Sequence, residues 1–110
     1  MIDWTRVREL RDEIGHDAFE EVLDLFLEEA ETALAMLRTS TADDDLEAQL
    51  HFLRGSALNL GFAALAELCA EGEEKSRAGA PERVNIPEIV SGYETSKAAF
   101  LARLAEGIAA

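Results

Sequence analysis

His51, Arg54 and Gly55 fall within little more than one helical turn, in the segment His51-Phe52-Leu53-Arg54-Gly55-Ser56-Ala57-Leu58-Asn59-Leu60-Gly61. Their types and spacing suit a site that carries an anion on an imidazole. Leu46, Leu50, Leu53, Ala57 and Leu60 recur at spacings of four, three, four and three, which marks the buried seam of a helix. At about 100° per residue, His51, Arg54, Gly55 and Leu58 then share a face turned away from the centre of that seam. The histidine therefore stands at least partly exposed, on a rigid element rather than a loop. Imidazole has a nucleophilic lone pair near neutral pH and needs little help from a base. Helical side chains lean toward the N-terminus, so a side chain at position 55 would lie over the His51 ring; glycine leaves the ring uncovered, at a cost of about 1 kcal/mol against alanine. Arg54 leans back along the same face and can bring a planar cation to whatever the ring carries, which suits a phosphoryl group.

The elements that position this face are helical almost throughout. Ala, Leu and Glu are abundant, and no window alternates apolar and polar residues over strand length. Asp3 can cap a short first helix carrying Trp4, Val7, Leu10 and Ile14 that stops at Gly15. Asp17 opens a long helix to about Arg38, with Phe19, Val22, Leu23, Phe26, Ala30, Ala33, Leu34 and Leu37 on its inner stripe and Glu20, Asp24, Glu28 and Glu31 outside. Thr39-Ser40-Thr41-Ala42-Asp43 reads as a linker, and the His51 helix follows and ends at Gly61. A fourth helix turns Phe62, Leu65, Leu68 and Cys69 inward and fades near Gly79-Ala80-Pro81. Asn85 can cap a last helix with Pro87 in its first turn and Ile86, Ile89, Val90, Tyr93, Phe100, Leu101 and Leu104 on its buried face. The fold expected is all-α: an antiparallel four-helix bundle with a short additional N-terminal helix. The 110 residues, 48% of them hydrophobic, suit a single domain spanning 1–110.

Charge and composition exclude several classes of function. Asp and Glu number 23 against 10 Lys and Arg, a formal net charge of −13 that repels phosphate backbones and anionic lipid, so neither nucleic acid nor membrane is an expected partner. No apolar run approaches the length of a spanning helix and no signal-peptide pattern opens the chain, which reads as cytoplasmic and free-standing. The single cysteine, Cys69, excludes an internal disulfide and a cysteine-rich zinc site. No GxxxxGK[ST] and no GxGxxG occurs, so ATP-dependent autophosphorylation is not expected. A helical metal site would need Glu three residues before an inward histidine. Position 48 is Ala, and the Glu13/His16 pair straddles Gly15, so no metal ligands are assigned.

The eleven residues from His51 to Gly61 resemble the signature of the histidine-containing phosphotransfer (HPt) domains of multistep phosphorelays, a His followed by x-Leu-Lys-Gly-Ser-Ala-x-x-Leu-Gly. Leu65, Leu68-Cys69, Glu73 and Arg77 fit the weaker downstream pattern of that family. Arg54 stands where Lys is commoner, keeping the charge and adding bidentate capacity. Gly72 stands where a core Leu is usual, which should loosen the fourth helix locally. The resemblance implies that His51 accepts a phosphoryl group from the aspartyl phosphate of a response-regulator receiver domain and passes it to another receiver. Arg54 would balance phosphoryl charge and Gly55 would give access. The chain would need no cofactor of its own, the Mg²⁺ belonging to the partner receiver, and its partners would be receiver domains, a hybrid histidine kinase or both.

Plainer readings stand beside these. Leu58 is taken as a partner contact in preference to a contact with the short first helix. Arg77, with Lys75, adds positive potential near the site, although a cation in a last helical turn needs only the helix dipole to explain it. His16 is read as part of a cap or turn, and Cys69 as a small core residue. Glu28-Glu29, Asp43-Asp44-Asp45 and Glu71-Glu73-Glu74 are read as solvated faces, the second of them able to hold a cation weakly. The competing function is a non-catalytic helical interaction module, monomeric like the carrier, that docks a partner without phosphotransfer and in which His51 is incidental.

Overall fold

Helix ends are set where the sequence places its caps. The Asp3 carboxylate accepts the Arg6 backbone N–H at 3.2 Å and starts α1 (Trp4–Ile14). Gly15, at φ 86, ends it, and α2 (His16–Thr39) begins at once, so His16 is an exposed first-turn residue of a helix and not part of a loop. α3 (Asp43–Leu60) ends at Gly61, with φ 87, and α4 (Ala63–Arg77) follows. A 3₁₀ turn at Pro81–Arg83 leads to α5 (Ile86–Glu106). There Asn85 Oδ1 accepts the Glu88 N–H at 3.0 Å while its Nδ2 donates to Glu88 Oε2 at 3.1 Å, a reciprocal cap with Pro87 in the first turn. This computed structural model describes residues 1–39 and 43–106, the side chains of 43–45 excepted, and contains no strand among them. Most of the linker read at 39–43, and the acidic side chains Asp43 to Asp45, lie outside the described residues.

α3 lies between α2 and α4, and α5 closes the bundle against α4 and α2. Pairs such as Glu47–Arg77 and Arg54–Glu73 show that α3 and α4 run antiparallel. All five residues of the α3 seam are buried, as are Leu23, Phe26, Ala30, Leu34 and Leu37 of α2. Phe62, fully buried in the α3–α4 turn, organises an aromatic group with Phe26 at 5.0 Å, Phe100 at 5.2 Å and Tyr93 at 6.5 Å between ring centroids. Trp4 of α1 stacks on Phe100 at 5.2 Å and carries the Arg103 guanidinium on its ring. α1 is pinned to the end of α3 by backbone: the Asp3 N–H donates to Gly61 O at 2.7 Å, and a Cβ at Gly61 would stand 2.7 Å from Asp3 O. Arg6 adds two bonds of 2.9 Å to Asn59, one to its carbonyl and one to its side chain.

Two expectations change, and one burial is new. Gly72 does not loosen α4. A Cβ there would come within 2.9 Å of Leu50 Cδ1 and 3.3 Å of Val84 Cγ1, so the ends of neighbouring side chains already fill the space a larger residue would take. Leu101, expected inside, is 42% exposed, because the inner stripe of α5 runs through Ile89, Tyr93, Ser96 and Phe100 and leaves position 101 off it. Arg11, unremarked in the sequence, is buried near the end of α1. No described helix is long and apolar enough to cross a membrane.

Candidate functional site

The seam of α3 turns Leu50, Leu53 and Ala57 into the core, and His51 accordingly stands on the opposite face with its side chain 69% exposed. Only one edge of the ring is engaged. Nδ1 lies 3.1 Å from Glu73 Oε2 and 3.0 Å from Arg54 Nη2, and Nε2 has no protein partner among the described residues.

Glu73 is the hub of the site, and its placement corrects the reading of Glu71-Glu73-Glu74 as one solvated face. Glu71 and Glu74 are exposed, but the Glu73 side chain is only 3% exposed. Leu65, Cys69 and Glu73 follow one another at spacings of four, so Glu73 continues the inward stripe of α4. A carboxylate in that position is tolerated only if cations surround it. Arg54 Nε donates to Oε1 at 2.5 Å, and Arg77 Nη2 stands 3.6 Å from Oε2 while its Nε donates to Glu47 Oε2 at 3.3 Å. Arg77, sought as a source of positive potential, is thus joined to the His51 cluster through Glu73 and Glu47. The missed signal was the four-residue spacing of 65, 69 and 73, together with His51 and Arg54 on the facing helix and Arg77 one turn on in α4.

The two contacts at Nδ1 are mutually exclusive as hydrogen bonds. Arginine only donates and an ionised carboxylate only accepts, so Nδ1 is either unprotonated and facing Arg54 or protonated and facing Glu73. The carboxylate bond is charge-assisted and satisfies an oxygen that has no water to turn to, which favours Nδ1–H directed at Glu73. That tautomer leaves the lone pair on the outward Nε2. It also frees Arg54 Nη2 to turn toward a group on the ring while Nε stays on Glu73.

Gly55 keeps the approach clear. A Cβ built there meets nothing within 4 Å, so no packing demand explains the glycine. The same geometry refines the sequence argument: a methyl group would not reach the ring, and only a longer side chain could sweep over it. Leu58 is 53% exposed and is not covered by α1. Phe52, which the sequence reading passed over, is equally exposed beside His51. It opens onto a groove of about 630 Å³ between α2 and α3, whose apolar rim includes Leu25, Ala33 and Met36. Cys69 lies behind the cluster, where burial, and then the Glu73 charge, push its thiol up to about 12 against the partial relief of Arg54; it is an unreactive core residue.

No curated protein and no solved structure matches the chain. The family model of the Hpt domain does, over residues 21–109, a span that takes in nearly all of α2 and the whole of α3 and α4, and that leaves α1 outside. With that match covering most of the chain and every residue of the His51 cluster, the protein belongs to the Hpt domain family, the histidine phosphotransfer domains of phosphorelays.

Proposed function

We propose that His51 accepts a phosphoryl group from the aspartyl phosphate of a response-regulator receiver domain and hands it to another receiver. The observation that carries this reading is an exposed imidazole whose Nδ1 lies 3.1 Å from a buried carboxylate; with the ring proton directed there, Nε2 points its lone pair outward. In the forward step Nε2 attacks phosphorus, the P–N bond forms, and the P–O bond to the aspartyl carboxylate breaks with its electron pair returning to that carboxylate. The Nδ1 proton stays on the ring, and Glu73 faces the positive charge that develops there. Transfer to the second receiver is the reverse, onto its aspartate.

Arg54 supplies the mobile cation for the phosphoryl oxygens, and Gly55 leaves room for the receiver to bring its aspartate within reach. Phe52 and Leu58 flank the ring with apolar surface that a docked receiver or hybrid kinase would cover, excluding water from the transfer. The chain contributes no cofactor in this scheme, and Mg²⁺ is held by the receiver. A net charge of −13 favours a protein partner over nucleic acid or anionic membrane, in the cytoplasm, with the carrier as a monomer.

The test is incubation with a panel of phosphorylated receivers, followed by intact mass and acid lability. Acid-labile phosphate on the wild type and none on a folded His51→Gln protein is expected. Equal labelling of the His51→Gln protein overturns the reading. Binding of receivers that is indifferent to His51 and produces no label would point instead to a docking module.

A further inference from the structure

Glu73 faces more than the histidine. It is almost wholly buried, and of the cations that neutralise it, Arg54 at Oε1 and Arg77 at Oε2, Arg54 also stands 3.0 Å from the ring. A phosphoryl group on Nε2 brings about two negative charges to a cluster whose arginines are already engaged by Glu73 and, through Arg77, by Glu47. When Arg54 turns Nη2 to the phosphoryl while Nε stays on Glu73, one charge serves two anions and the buried carboxylate is less compensated, which is costly where water cannot replace it.

Resting on the reading of His51 as the acceptor, we propose that Glu73 sets the transfer potential of the phosphohistidine: it keeps the phosphoryl group labile by competing with it for Arg54, with Arg77 acting only through Glu73. Competition for Arg54 raises the energy of the phosphorylated state. The bond from Nδ1–H to the carboxylate opposes this in part by stabilising the charged ring, and a neutral acceptor at position 73 retains that bond. On departure the P–N bond breaks, its pair stays on Nε2, phosphorus bonds to an aspartate oxygen or to water, and the ring is left as a neutral imidazole with Nδ1–H still on Glu73. Glu73 touches neither phosphorus nor the incoming oxygen, so it is a positioning residue. Glutamine keeps the shape and can still accept from Nδ1, but it releases Arg54.

Wild type, Glu73→Gln, Arg77→Ala and the double variant are loaded with phosphoramidate. Loss of acid-labile phosphate is then followed, with the equilibrium share held against a receiver domain. Glu73→Gln is expected to lengthen the phosphohistidine lifetime at least about threefold and to raise the share on His51, an energetic coupling of ordinary size for groups in one network. Arg77→Ala, at an exposed position, is expected to shorten the lifetime when Glu73 is present and to have no effect in the Glu73→Gln background. Damage to the fold would not lengthen a lifetime. An unchanged or shorter lifetime in a helical Glu73→Gln protein overturns the inference, as does an Arg77→Ala effect that survives in the double variant. Absence of label on the wild type is a different failure, that of the acceptor reading itself.

Discussion

The aromatic group around Phe62 and the Glu73 carboxylate at the centre of the polar cluster are both buried, and they join the helices by opposite means. Around Phe62, rings from α2, the α3–α4 turn and α5 fill space against one another. Every apolar area removed there from water stabilises the fold without regard to direction. Around Glu73, one carboxylate is kept in the core by specific donors on α3 and α4. Removal of either partner from such an arrangement is costly, while the arrangement as a whole adds little net stability. The first region fixes the fold. The second is nearly neutral to the fold, which leaves it free to respond to a change of charge on His51.

Substitutions in the two regions should therefore separate stability from transfer. Phe62→Ala has the largest expected effect, a loss of about 3–5 kcal/mol in urea unfolding, while the fraction that remains folded still accepts phosphate. Arg54→Ala should slow transfer by roughly 10²-fold even in the fraction that remains folded, the scale of one lost charge-stabilising donor, and should also lower the unfolding midpoint because it leaves the buried Glu73 carboxylate less compensated. Gly55 sharpens the comparison at a single position. Gly55→Ala should raise stability by up to about 1 kcal/mol and leave transfer intact, whereas Gly55→Gln should keep the stability and block transfer. Equal transfer in the two Gly55 variants would remove steric access from the account.

The smallest effect lies on the structural side. Tyr93 donates to Glu31 Oε2 at 2.7 Å, and Lys97 donates to the same oxygen at 2.6 Å. The Lys97 bond first, and the Tyr93 bond second, hold the Glu31 carboxyl below its ordinary 4.5. A folded-state value below the unfolded one contributes stability that is present above pH 4.5 and lost as the pH falls through the depressed value. Tyr93→Phe should cost about 1 kcal/mol at pH 7, and the difference from wild type should shrink in acid. Urea curves at the two pH values check both halves, and a difference that grows in acid would contradict the assignment.

What was legible in the sequence follows the same division. The Leu46-to-Leu60 seam, the Asp3 and Asn85 caps and the stops at Gly15 and Gly61 are local signals, and periodicity or cap chemistry expresses each of them directly. His51, Arg54 and Gly55 were found because they share one face of one helix. Glu73 was misread because its burial depends on what the neighbouring helix offers it, and charge alone makes a glutamate look solvated. Gly72 was misread for a related reason: a missing side chain loosens or tightens a contact according to how close the facing helix comes, and that distance is a property of the packed bundle. Phe52 was overlooked although the register of the seam leaves it outside, because its exposure gains meaning only from the groove beside it, which the packing of α2 on α3 creates.

The central claim is that Glu73 holds Nδ1 and so assigns the chemistry to Nε2. Phosphorus and nitrogen NMR of the phosphorylated protein, with ¹⁵N-labelled histidine, tests it most directly, because the two ring positions give distinct phosphorus–nitrogen correlations. The account predicts phosphorus bonded to Nε2 of His51, with the proton retained on Nδ1. Phosphorus on Nδ1, or on any residue other than His51, would contradict it.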